Sequence, residues 1–507
     1  MFLFKKLGTL ALAVLLMVMA VGFTPAYAEQ LSPVELKIMV PGDRPADMDA
    51  VLAEIERLEK PTLNVSINLV FVPWSDLGSK TQLALLSGED VDLIFDAPWL
   101  HMDQMFSQGM YEQLDGFIDT YGPNLKAMRP QSMWEANTWD GQIIGIPLGT
   151  TVGGTRAYHL RKDLREALGI APIQTHQDLV DYLYKVKEAY PDIVPYSMDK
   201  NATDNNWSSW WIEQHNSDPA TIVNHSPGGV GMTFLFYTEG KDGTVIKNIF
   251  DDPNDTIWNA WREARQLYLD GIINPDILAD NRTSITQFET GKVASYVSNS
   301  VTVEPSEREN IKVNAPNAEV EAFLEWSMGD GINISDFKVY NFLCIPKIAK
   351  NKERSIQFLD WSNSTQDIYD LFAYGIEGVN YEKVGDKKYT PLSNTYPNFS
   401  YVWVLNPVQD RFDSRMTDDE VAIQMYFREA EHWERSKLSF FNFKSDEIAT
   451  ELAIFNDVEA KYMSAVGHGV VDPDETLAKV KAEAYDAMKV IQAELQKQID
   501  AHLASQK

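Results

Sequence analysis

Val91-Asp92-Leu93-Ile94-Phe95-Asp96-Ala97-Pro98-Trp99 is a short apolar run that ends in a carboxylate, a proline and an indole. The length and the branched and aromatic content of Val91 to Phe95 predict a short buried strand, which Asp96-Ala97-Pro98-Trp99 follows. The chain around it alternates in kind. Residues 34–40 and 65–72 read as strands, the first stopped by Pro41-Gly42-Asp43-Arg44-Pro45. Residues 47–60 carry Met48, Val51, Leu52, Ile55 and Leu58 at helical spacing, and residues 75–86 and 102–115 also read as helices. Strand, helix, strand, helix, strand is the order of an α/β layer with mostly parallel strands. In such sheets ligands bind beyond the carboxyl ends of the strands. Asp43, Arg44, Trp74, Asp96 and Trp99 each follow a predicted strand, which places them on one rim. For Asp43 and Asp96, capping of the next helix competes with ligand contact.

Further along, residues 143–147 and 155–160 read as strands. Between them Gly149 to Gly154 resembles a hinge more than a phosphate loop, because it lacks the Lys-Ser/Thr ending. Residues 161–168 and 179–190 are predicted helices, the second capped by Thr175-His176-Gln177-Asp178. Asp252-Pro253-Asn254-Asp255 lacks the glycine and spaced acceptors of a calcium loop and is read as a cap for residues 256–270. Residues 285–290 form a short helix that leads into a strand over 291–296. Further strands are expected at 311–313 and 339–345, and helices at 352–361 and 366–374. Residues 389–406, rich in Pro, Asn and aromatics, read as a long functional loop. In the tail, Leu477, Val480, Ala484, Met488, Ile491, Leu495, Ile499 and Leu503 recur every three or four residues, as on a helix packed against a core.

The first 28 residues have another purpose. Lys5 and Lys6 precede an uncharged apolar stretch from Leu7 to Gly22, and Ala26-Tyr27-Ala28 follows. This is the pattern of a secretory signal peptide cut between Ala28 and Glu29, with an uncleaved anchor as the alternative. No cysteine follows the cut to carry a lipid, since the single cysteine is Cys344, within an apolar run. A lone cysteine also excludes an internal disulfide and a zinc cluster. The mature chain is therefore expected to be extracytoplasmic, soluble and not a lipoprotein. Its 479 residues suit two or more lobes rather than one core. The formal charge is −30, and −32 without Lys5 and Lys6, which disfavours nucleic acid and anionic lipid as partners.

Three segments, in this order, resemble the extracellular solute-binding protein family that includes maltose-binding protein. They are Ile38-Met39-Val40-Pro41-Gly42-Asp43-Arg44, then Asp92-Leu93-Ile94-Phe95-Asp96-Ala97 with Gly109-Met110-Tyr111-Glu112-Gln113-Leu114-Asp115, then Phe288-Glu289-Thr290-Gly291-Lys292-Val293-Ala294. Tyr374-Gly375-Ile376-Glu377-Gly378-Val379-Asn380-Tyr381 and residues 440–507 are similar to a larger subfamily with a C-terminal domain of unassigned function. Many members of that subfamily are lipoproteins, from which this sequence departs. The resemblance implies a two-lobed periplasmic-binding-protein fold of the class II type, joined by two or three crossing strands, with a helical C-terminal extension. It implies first-lobe segments at 29–150 and 311–365, and second-lobe segments at 151–310 and 366–507. It also implies a monomer that delivers a sugar or oligosaccharide to the permease subunits of an ABC importer.

A binder of that kind needs aromatic faces to stack on sugar rings and polar groups to replace water around hydroxyls. The candidate floor is Trp74, Trp99, Trp207, Trp211, Tyr296, Tyr374 and Trp403, and the candidate polar contacts are Asp43, Arg44, Asp96, Arg156 and Glu377. For each aromatic, ordinary core packing is the competing role. Trp207, Trp210 and Trp211 share one helix face, as core residues also do. A secreted glycoside hydrolase with paired carboxylates is the rival function. A peptide or other polar solute in the same cleft is the rival ligand. G-x-S-x-G, H-E-x-x-H and Walker A patterns are missing and the eight His are scattered, so other catalytic classes, a metal and a cofactor are not expected.

Overall fold

The computed structural model describes residues 31–154, 156–200, 207, 223–225, 235–240, 242–324 and 333–506. The signal segment, with the Ala28–Glu29 cut, and Trp211 lie outside them.

Val34–Pro41 pairs in parallel with Val65–Val72 on one side and with Leu93–Asp96 on the other. Asn341–Cys344 lies antiparallel between Leu93–Asp96 and Gly145–Leu148, completing a five-stranded sheet. Every residue of Leu93–Asp96 and Gly145–Leu148 is buried, as a continuous apolar run with helices on both faces requires. Met48, Val51, Leu52 and Ile55 of the Met48–Glu59 helix and Leu77, Ala84 and Leu85 of Leu77–Ser87 cover this sheet. The predicted helix over 102–115 stops at Ser107. Gly109 turns the chain with φ +70°, and Tyr111 then bridges to Pro346 before a new helix, Asp115–Tyr121, begins.

The second lobe is built on Val320–Phe323, Ala157–Arg161 and Ser295–Ser298, joined by antiparallel ladders. Among the described residues, parallel pairing there is confined to single bridges, Val194 to Val293, Tyr196 to Ile273 and Ser197 to Tyr296. The Thr175 capping box and the Asp255 cap form as expected. Residues 311–313, read as a strand, lie inside the Pro305–Asn314 helix, where Pro305 starts the first turn and Ile311 is buried.

Two expected lobe boundaries move. The 311–324 segment stays with the second lobe, because Val320–Phe323 is laddered to Ala157–Arg161. The Gln366–Tyr374 helix and the aromatics after it belong to the first lobe's core. Tyr369, Phe372, Tyr396, Phe399 and Trp403 pack there with Phe358 and Leu359. Residues 389–406 thus contribute buried core wall and are not simply a free loop. Tyr396 Oη and Trp403 Nε1 both donate to the Phe372 carbonyl, at 2.8 and 3.1 Å.

Three stretches cross between the lobes. The first is the glycine run after Leu148. The second precedes Asn341 and the third follows Asp413, whose short strand still pairs with Lys388–Pro391 of the first lobe. In the crossing region Asn333–Ser335 pairs in parallel with Trp433–Arg435. Gly153 lies so close to the Trp433 ring that an added Cβ would sit 2.4 Å from it, so this position needs a glycine for space.

The Ala449–Gly467 and Pro473–Ser505 helices form a hairpin, the second capped by Asp472. Val480, Met488, Ile491 and Leu495 share a core with Phe236, Phe250, Trp258 and Trp261, so the tail caps the second lobe. It meets the first lobe through polar contacts, among them Lys444 to Asp140 at 2.8 Å and Asn442 to the Thr138 carbonyl at 3.2 Å. Among the described residues, no helix is long and apolar enough to cross a membrane.

Candidate ligand-binding cleft

Pro41, Val72, Asp96 and Leu148 end their strands at the same edge of the five-stranded sheet, and Asn341 begins its strand there. The first two crossing stretches leave the first lobe from that edge, so it faces the space between the lobes. Just beyond Val72, Pro73 leads into a single 3₁₀ turn that begins with Trp74. Gly42 N donates to the Val72 carbonyl at 2.8 Å and locks the neighbouring turn beside it. Beyond Asp96, the Ala97-Pro98 turn projects Trp99, whose Nε1 donates to the Tyr340 carbonyl at 2.8 Å.

These turns assemble an aromatic platform. The Trp74 ring lies 6.4 Å from Trp99 at 31°, and 6.3 Å from Tyr401 at 15°. Phe95 supports Trp74 from the core, edge-on at 6.3 Å. Trp74 is 47% exposed, Trp99 49% and Tyr340 62%. Large apolar side chains held open to water in one group mark a binding surface rather than a core. Indoles suit sugars because each offers an apolar face with a polar edge. Asp43 is exposed on the turn that follows Gly42.

Asp96 does not join the platform's surface. It is 1% exposed, accepts from Ala97 N at 2.8 Å and from the Tyr111 hydroxyl, and so fixes the turn that carries Trp99. Burial pushes its carboxyl up to about 6 from 3.8. In the fold it holds its proton up to about pH 6, whereas the unfolded chain releases it near 3.8. Its contribution to stability is complete below 3.8 and is lost as pH rises through about 6. A gap of about two units amounts to roughly 3 kcal/mol. Urea unfolding at pH 4, 5, 6 and 7 is expected to show wild type losing stability relative to Asp96→Asn across that window, and parallel curves would remove the burial argument.

The other expected site residues scatter. Arg44 turns away along the sheet's open edge, where it pairs with Asp49 and lies 5.5 Å over the Phe71 ring. Arg156 is half-buried in the crossing region and has a partner within the protein. Glu377 is exposed and pairs with Lys383 at 2.9 Å, a surface ion pair. Four aromatics are core residues and offer no free face. Tyr374 is stacked on Tyr389 at 4.1 Å and donates to Asp410 at 3.0 Å. Trp403 is 2% exposed beneath the first sheet's helices. Tyr296 lies beside the buried His159–Glu307 pair, and Trp207 packs on Tyr196 at 5.1 Å while donating to Glu263 at 2.7 Å. Burial made each unavailable, and aromatic identity alone does not report burial. Cys344 is buried too, which pushes its thiol well up.

Tyr401 and Tyr340 were missed. Tyr401 sits in the aromatic stretch flagged as a loop, so a signal existed for it. Tyr340 reaches the rim only because Asn341–Cys344 runs antiparallel to its neighbours, which no local pattern reveals. A separate groove of about 700 Å³ lies where Thr138 and Asp140 face Phe441, Lys497 and His502 of the tail.

Two lobes, three crossings and an open aromatic rim between them define a ligand-binding protein. Residues 53–383 match the family described as bacterial extracellular solute-binding protein, and this chain belongs to it. Residues 437–504 match a domain of unknown function, DUF3502. A "Carbohydrate ABC transporter substrate-binding protein" of Streptococcus pneumoniae is 24% identical over 93% of this chain and 91% of that protein. The "Polygalacturonan/rhamnogalacturonan-binding protein YtcQ" of Bacillus subtilis is 23% identical over 68% of this chain and 65% of its own length. Among solved structures, the N-glycan transport solute-binding protein NgtS of Streptococcus pneumoniae, in complex with Man5GlcNAc, has a TM-score of 0.73 at 21% identity, covering 94% of this chain and all of that one. The alginate-binding protein AlgQ2 has a TM-score of 0.63 at 18% identity, covering 94% and 99%. The fold is therefore the two-lobed solute-binding fold, and proteins of this family are extracytoplasmic transport components rather than enzymes.

Proposed function

We propose that this chain captures an oligosaccharide between its lobes and hands it to the permease of an ABC importer. The observation that carries this is the platform of Trp74, Trp99 and Tyr401 at the carboxyl edge of the first sheet, with both indoles about half open to water. Pyranose rings stack on such faces, while Asp43 on the adjacent turn accepts from sugar hydroxyls. Closure of the second lobe would complete the site with contacts made only in the closed form. The ligands that name these relatives, N-glycan, polygalacturonan and alginate, are all carbohydrates. Export through the segment ending at Ala28, release without a lipid, and action as a monomer belong to the same proposal.

Thermal-shift screening over oligosaccharides and peptides tests it. A ligand at 100 times its dissociation constant stabilises by about 2.7 kcal/mol. Shifts with oligosaccharides and none with peptides are expected, without cleavage of the sugar on prolonged incubation. Shifts with peptides alone would move the ligand class, and cleavage products would restore the hydrolase.

A further inference from the structure

The ligands of the relatives include both uncharged and uronate polymers, so family membership leaves the charge of this ligand open. The distribution of cations in the chain bears on it. A carboxylate or sulfate taken out of water needs a cationic or multiple-donor partner, and a bidentate guanidinium is the strongest. The chain has fifteen arginines. Every one is already engaged within the protein by a carboxylate, a carbonyl, an aromatic ring or another polar contact.

Three of them illustrate the pattern. Arg44, which sequence position put on the rim, is folded back onto Asp49 and Phe71. Arg428 pairs with Asp410 at 2.9 Å and lies 4.4 Å over Phe412. Arg435 is held between Phe337 and Phe440, at 4.6 and 4.9 Å. Two lysines close in sequence to the rim residues Trp74 and Tyr340 are engaged as well. Lys80 pairs with Asp76 one turn below Trp74, and Lys338 donates to the Phe441 carbonyl at 3.3 Å. Residues 201–234 and 325–332, most of which lie outside the described structure, contain no Lys and no Arg. What the rim does present is the exposed carboxylate of Asp43, on a chain of net charge −30. A polyanion would meet like charge at the platform and would have to break an internal pair to gain a counter-ion.

We infer that the cleft selects an uncharged oligosaccharide and rejects uronate and sulfated polymers of the same length. Neutral hydroxyls need only the acceptors and aromatic faces that the rim supplies. This inference rests on the proposed carbohydrate function.

The test is calorimetry on the intact chain with neutral oligomers (mannopentaose, cellopentaose, xylopentaose and N-glycan-derived pentasaccharide) against pentagalacturonate and oligoalginate of matched length. Each is titrated at 20 and 150 mM salt, so that screening separates long-range repulsion from missing contacts. At least one neutral oligomer is expected to bind in the micromolar range, with every uronate at least 100-fold weaker at both salt concentrations. A uronate within 100-fold of the best neutral ligand overturns the inference and leaves the carbohydrate function standing. Binding by neither set overturns the carbohydrate function itself.

Discussion

Replacing Trp74 and Trp99 together by Ala is expected to weaken oligosaccharide binding on the order of a thousandfold while the protein stays folded. Buried aromatic anchors at binding sites cost about 2 kcal/mol each when truncated. Two of them lose about 4 kcal/mol, and every 1.4 kcal/mol is a factor of ten. Both side chains are about half exposed, so little core packing goes with them. Trp74 stands between Trp99 and Tyr401, so its single replacement is expected to cost more than that of Trp99. Calorimetry gives the affinity, and a melting curve shows that the fold survives. An unchanged affinity in the double variant would move the ligand off this edge of the sheet.

Tyr374→Ala is expected to act in the opposite way, by lowering stability rather than recognition. The ring is 1% exposed and stacked on Tyr389, and its hydroxyl both donates to Asp410 and accepts from Arg411 N at 2.8 Å. Removing a buried aromatic ring costs about 3–5 kcal/mol. Tyr374→Phe keeps the ring and loses only the hydroxyl bonds, for about 1–3 kcal/mol. Urea unfolding should rank the two in that order, with the Phe variant retaining the sugar affinity of wild type. A Phe variant that folds normally and binds at least tenfold more weakly would return Tyr374 to the cleft.

The contrast between these residues shows which features a linear reading reaches. Trp74 and Trp99 were legible because each follows a strand directly, and the strand's direction fixes which edge it reaches. Asp96 is the last residue of its strand, and its carboxylate turns inward to Ala97 N and Tyr111. A carboxylate at a strand end has local donors to satisfy, and these compete with any ligand. Tyr296, Tyr374, Trp207 and Trp403 failed for another reason. Each lies in a segment whose buried face is set by partners far away in sequence, such as Glu263 for Trp207. The charge inventory was legible as a count, but the engagement of each arginine was not.

From its sequence alone this protein is an α/β chain with strands at 34–40, 65–72 and 91–95, helices between them, and a helical tail with one apolar stripe. Those features follow from hydrophobic spacing and turn residues, which act within a few positions of the chain. Tertiary structure alone placed Asn341–Cys344 antiparallel in the first sheet, brought Tyr340 and Tyr401 to the rim, and assigned 366–404 to the first lobe. It also turned Arg44 away from the cleft. The reason is physical: burial and pairing are largely settled by contacts between residues tens to hundreds of positions apart, and no local spacing encodes which of several aromatic faces will be left open to water.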